Sequence, residues 1–123
     1  MTTSRKLIAI LEDDTGMRRA VERLLRISGY RTRAFASAED EGVAECLRTV
    51  YCMVVDVQLP GLRGPVFYQT LPHPRPPAVF VTAYGNEATR NEIWCAGGRE
   101  LLTKPFLGSD LLSAIERAAQ ERT

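Results

Sequence analysis

A chain of 123 residues, 45% hydrophobic and 25% charged, has the size and composition of one globular domain and can bury a core without disulfides or a structural metal. Sixteen Lys and Arg against fifteen Asp and Glu leave a formal charge of +1, which excludes a global electrostatic drive toward nucleic acid or a membrane surface. Cys46, Cys52 and Cys95 are odd in number and lack CxxC or Cys/His spacing, arguing against a disulfide framework or a zinc site and for a reducing, cytoplasmic setting.

Leu7 to Leu11 is an apolar run far short of the roughly 20 residues a membrane span requires, and it does not resemble a signal peptide. With no polar interruption before Glu12-Asp13-Asp14, it predicts a strand covered on both faces. Met17, Ala20, Val21, Leu24 and Leu25 then share one helical face, opposite Arg18, Arg19, Glu22, Arg23 and Arg26, and Gly29 ends the helix. Those arginines suit either an acidic docking partner or a solvated face. Tyr30 to Phe35 alternates as an edge strand does. Ser37-Ala38-Glu39-Asp40 offers a cap and an acidic first turn for a second helix running to about Arg48, with Gly42 inside it as a weak point.

Three further strands are expected to end in a single functional group: Met53-Val54-Val55 at Asp56, Ala78 to Val81 at Thr82, and Leu101-Leu102-Thr103 at Lys104. Between and after them the pattern predicts helices over Pro65 to Leu71, Asn86 to Ala96 with Gly97-Gly98 closing it, and Ser109 to about Glu121. Leu71 to Pro77 reads as an extended surface loop. In the helix from Asn86, apolar anchorage is concentrated at Ile93 and Trp94, so its start is either mobile until ordered by covalent modification or a partner, or an ordinary solvated face. Cys46 and Cys95 on helices and Cys52 beside a strand are expected to be partly buried.

Strands alternating with helices imply right-handed crossovers and a parallel sheet, hence a three-layer α/β sandwich of residues 1–123 as one domain. Ligands of such sheets sit beyond the carboxyl ends of the strands, which is where Glu12, Asp13, Asp56, Thr82 and Lys104 fall. Converging carboxylates repel, and protonation or a hard divalent cation such as Mg²⁺ relieves the repulsion. A hydroxyl and an ammonium beside them suit the oxygens of a phosphoryl group, with Asp56 the best nucleophile.

These residues resemble the receiver domain of two-component response regulators, over essentially the whole chain. The resemblance rests on Leu11-Glu12-Asp13-Asp14, on Val55-Asp56-Val57-Gln58-Leu59-Pro60-Gly61 with Gly64, on Val81-Thr82-Ala83-Tyr84-Gly85, and on Lys104-Pro105-Phe106. It implies a five-stranded parallel sheet of order 2-1-3-4-5 flanked by five helices, the flavodoxin-like receiver fold. It implies that Asp56 accepts a phosphoryl group from the phosphohistidine of a sensor histidine kinase or histidine phosphotransfer protein. Glu12 and Asp13 would be the acidic pair, with Asp13, Asp56 and the Gln58 backbone carbonyl as Mg²⁺ ligands. Thr82 would be the mobile hydroxyl, Lys104 its cationic partner, and Lys104-Pro105 a cis bond. The surface of the fourth helix, fifth strand and fifth helix would then change, toward an output domain, a downstream protein or a dimer, with no direct nucleic-acid or membrane binding.

Two positions depart from the common family pattern. Glu12 stands where many receivers have Asp, and Leu101 where an aromatic switch residue is usual, leaving Tyr84 as a substitute or as a shield of the site. Asp14 reads as a loop or helix-start residue outside the metal site. The resulting expectation is a self-modifying switch with no separate substrate to turn over. Its rivals are a receiver-like binding module independent of phosphorylation and, ranked last, an Mg²⁺-dependent aspartyl phosphatase, whose usual second acid is replaced here by Gln58.

Overall fold

The structure is a computed structural model that describes residues 5–120. Its five strands, β1 (Leu7–Leu11), β2 (Arg31–Phe35), β3 (Cys52–Asp56), β4 (Ala78–Thr82) and β5 (Glu100–Thr103), alternate with α1 (Thr15–Ile27), α2 (Val43–Cys46), α3 (Gly64–Thr70), α4 (Glu87–Ala96) and α5 (Gly108–Gln120). All neighbouring strands are parallel, in the order β2-β1-β3-β4-β5.

Because successive side chains on a strand face opposite ways, the continuous apolar runs supply two cores at once. Ala9, Leu11, Met53, Val55 and Phe80 face one side, where Val43, Phe67, Tyr68 and Ile93 of α2, α3 and α4 cover them. Ile8, Ile10, Val54, Val79 and Val81 face the other, under Val21 and Leu25 of α1 and Leu111, Ile115 and Ala118 of α5. Full burial of each of these large side chains contributes about 1.5–3 kcal/mol, so the sheet rather than any one helix anchors the fold.

Local signals set the helix ends. Asp14, in extended conformation, accepts from Met17 N at 2.7 Å and starts α1, as expected of a helix-start residue. Asn86 accepts from Thr89 N at 2.8 Å and starts α4, and Gly97 at φ 100° ends it. Thr89, Ile93 and Ala96 are the buried residues of α4, and Arg63 on the β3–α3 loop forks onto Glu92 at 2.7 and 3.0 Å.

The second helix departs from expectation. Only Val43–Cys46 is α-helical, because Gly42 takes a left-handed φ of 92° that a continuous helix from Ser37 cannot contain. Ser37 instead caps a local turn, its hydroxyl accepting from Glu39 N at 2.9 Å. Cys46 and Cys52 are buried, whereas Cys95 is exposed because it sits on the solvent side of α4. Two X-Pro bonds are cis: Lys104–Pro105, as the family resemblance implied, and His73–Pro74 in the loop before β4, which nothing in the sequence indicated. The fifth helix ends at Gln120 in the described region, and Glu121 lies outside it. Among the described residues, no helix is long and apolar enough to cross a membrane.

Candidate functional site

The site forms because the sheet brings four strand ends to one edge. Ladder bonds continue past the strands: Glu12 N donates to Phe35 O at 3.0 Å, Val57 N to Val81 O at 2.9 Å and Lys104 N to Thr82 O at 2.8 Å. Glu12 and Asp13 after β1, Asp56 ending β3, Thr82 ending β4 and Lys104 after β5 therefore share the carboxyl edge, with β1 and β3 direct neighbours.

Carboxylate oxygens of Glu12, Asp13 and Asp56 lie within 4.8 Å of one another, Glu12 and Asp56 buried and Asp13 exposed. The Lys104 ammonium bridges the two buried acids, 3.0 Å from Glu12 Oε1 and 3.1 Å from Asp56 Oδ2. The other Asp56 oxygen, Oδ1, accepts from Gln58 N at 3.0 Å, so both of its oxygens are fixed. Glu12 Oε2 accepts from Asp14 N at 3.1 Å, and Arg18 braces the turn by donating to the carbonyls of Glu12 at 2.9 Å and Asp13 at 3.2 Å. One of the basic residues of α1 thus has a local structural partner.

Burial, followed by the hydrogen bond and charge of Asp56, pushes the Glu12 carboxyl up to about 7 against the opposing pull of Lys104 and the Asp14 N–H. Burial pulls Lys104 down, but its hydrogen bonds and charge pairing with Glu12 and Asp56 outweigh that and leave it above its ordinary range. The ammonium is therefore a fixed positive charge in the site at neutral pH. An all-oxygen set of three carboxylates, one of them open to solvent, is the donor chemistry a hard divalent cation takes while keeping some of its water. The acidic cluster can hold a metal ion.

Thr82 is fully buried. Its hydroxyl accepts from Tyr84 N at 3.0 Å, a turn that shapes the start of the β4–α4 loop, and donates to Gln58 Oε1 at 3.2 Å. Tyr84 itself is 64% exposed, so its ring projects from the site's rim. Leu101 is half-buried and packs against the core on the α2–α4 side. Pro105, following the lysine, is exposed.

Two features escaped the sequence reading. The family resemblance assigns Gln58 a role only through its backbone carbonyl, yet its side chain meets Thr82, a pairing across 24 residues that depends on how the loop after β3 turns. Gly64 presses so closely under the end of β3 that a Cβ there would lie 2.5 Å from the Asp56 carbonyl oxygen. Its place in the β3–α3 motif was the available signal.

A family model described as the response regulator receiver domain matches residues 8–116. Nodulation protein W of Bradyrhizobium diazoefficiens is 31% identical over 121 residues, covering 96% of this chain and 53% of that protein. Response regulator protein TmoT of Ectopseudomonas mendocina is 30% identical over 124 residues, 96% of this chain and 54% of the relative. The chain spans about half the length of these curated relatives. Among solved structures, a CheY-like response regulator receiver domain protein from Methanospirillum hungatei aligns with a TM-score of 0.85 at 26% identity, over 97% of both chains. The BeF3-activated DrrB receiver domain shares the fold with a TM-score of 0.84 at 22% identity, over 96% of this chain and all of that one.

Proposed function

Because this chain belongs to the response regulator receiver domain family of two-component signalling, we propose that it is a switch thrown by transfer of a phosphoryl group to Asp56. The observation that carries this reading is the convergence on one edge of a fixed carboxylate, an acidic pair and a paired ammonium. The donor is the phosphohistidine of a sensor kinase or phosphotransfer protein. An Asp56 oxygen forms the new O–P bond as the P–N bond breaks, and the electron pair stays on the departing imidazole, which takes up a proton.

Gln58 N and Lys104 hold the Asp56 carboxylate at both oxygens, so the nucleophile is oriented before the donor arrives. Once the acyl phosphate exists, the Lys104 ammonium is placed to pair with a phosphoryl oxygen in place of the carboxylate charge it now meets. Glu12, Asp13, Asp56 and the Gln58 carbonyl would hold Mg²⁺, which when bound supplies the positive charge that lets an anionic donor approach three carboxylates. Thr82 would turn its hydroxyl to the phosphoryl group, giving up the bond that shapes the loop to α4 and so altering the surface of α4, β5 and α5. Loss of the phosphoryl group to water resets the switch. A cytoplasmic location, and a single receiver unit over residues 1–123, fit this role.

The test is incubation with Mg²⁺ and a small acyl-phosphate donor, followed by intact mass of wild type and Asp56→Asn. One phosphoryl increment on wild type, dependent on the metal and absent from the variant, is expected. An equal increment on both would show that Asp56 is not the acceptor.

A further inference from the structure

We infer that the Gln58 side chain is a lock on the switch hydroxyl: it competes with the phosphoryl group for the proton of Thr82 and so sets how readily the switch is thrown. This rests on the proposal that Asp56 is phosphorylated.

Gln58 touches both halves of the device. Its backbone N–H donates to Asp56 Oδ1 at 3.0 Å, while its side-chain Oε1 accepts from the Thr82 hydroxyl at 3.2 Å. A hydroxyl has one proton to give. As long as it goes to Gln58, it is withheld from any oxygen on Asp56; the alternative acceptor nearby, Tyr84 O, is more distant at 3.5 Å.

Burial decides which partner can let go. Thr82 is fully buried, so its hydroxyl cannot leave one acceptor for water and must exchange it for another. Gln58 is only partly buried, and its released carboxamide can be satisfied by solvent. Release is therefore an exchange, driven because a charged phosphoryl oxygen accepts more strongly than a neutral carboxamide. The Gln58 bond sets the threshold for that exchange. Gln58 is a positioning residue, acting through Thr82.

A Gln58→Met variant keeps length and approximate volume and removes the acceptor. Losing one neutral hydrogen bond from the unswitched state should tighten binding of the phosphoryl mimic trifluoroberyllate, measured with Mg²⁺ present, by about three- to tenfold. The gain should vanish when Gln58→Met is added to Thr82→Val and return with Thr82→Ser, which restores the hydroxyl. Without any mimic, NMR three-bond couplings of Thr82 should show its side chain redistributing among rotamers in Gln58→Met. If wild type binds the mimic but Gln58→Met binds no tighter, or gains equally over Thr82→Val, the lock is refuted while Asp56 remains the acceptor. If wild type with Mg²⁺ does not bind the mimic, both the lock and the phosphorylation reading fail.

Discussion

Gly64 is where packing and chemistry meet most closely. It opens α3, and its N–H donates to Val57 O at 3.0 Å, so it cannot move away from the strand end above it. A Cβ added there would lie 2.5 Å from the Asp56 carbonyl oxygen and 2.9 Å from Val55 Cγ1. The first neighbour is main chain in the central strand, and the second belongs to a residue with no exposed surface. Neither can swing aside, so Gly64→Ala must displace the helix start or the Asp56 backbone itself. Overpacking of this kind costs about 2 kcal/mol, which for a domain of this size lowers Tm by about 8 °C. Gly16→Ala is the internal control. Its Cβ would meet only Asp14 Oδ2 at 3.5 Å, an ordinary contact, and the helical propensity gained in α1 should raise Tm by about 2 °C. Thermal unfolding by circular dichroism gives the shifts, and the rate of phosphoryl uptake from an acyl-phosphate donor shows whether Asp56 has moved. A Gly64→Ala protein with wild-type Tm and uptake would refute the packing argument.

Lys104→Met should destabilise the metal-free protein by about 3 kcal/mol, because it leaves Glu12 and Asp56 buried without their cation, and added Mg²⁺ should raise its Tm more than that of wild type. Equal Mg²⁺ responses in the two proteins would contradict the charge-neutralising role of the lysine. At the opposite end of the sheet the Glu116 carboxylate accepts from Tyr30 Oη and, at 2.8 Å, from Tyr51 Oη, and these two donors hold its pKa below the ordinary carboxylate value. A carboxyl lowered on folding contributes stability that is complete above its unfolded pKa, near 4.5, and lost as pH falls through its folded one, so Glu116→Gln should flatten the acid limb of stability against pH in denaturant titrations. An unchanged acid limb would show that these phenol bonds are not formed in solution.

What the sequence revealed and what it hid divide along physical lines. Apolar strands each ending in a polar group can be read locally, so β1 and the placement of Glu12, Asp13, Asp56, Thr82 and Lys104 at strand ends on one edge were legible, whereas the strand order that makes β1 and β3 neighbours came from the family resemblance and not from any local pattern. The second helix was misjudged because Gly42 could be taken either as a weak helix residue or as a left-handed break, and only the packed structure decides between them. The Tyr30–Glu116–Tyr51 cluster joins residues 86 and 65 positions apart, and Arg63 meets Glu92 across 29. Such pairings have no local periodicity to betray them. The Gln58–Thr82 bond lies between the two, since both residues belonged to recognised motifs but their side-chain contact depends on the conformation of a loop.

The most direct measurement is chemical location of the phosphoryl group. After reaction with an acyl-phosphate donor and Mg²⁺, borohydride would reduce an aspartyl phosphate to homoserine, which peptide sequencing by mass spectrometry places at a single position. Homoserine at position 56, and at no other carboxylate, is the expected result. Homoserine at position 13, 5-hydroxynorvaline at position 12 (the alcohol a glutamyl phosphate would give), or a phosphoryl increment that leaves neither, would contradict the assignment of Asp56 as the acceptor.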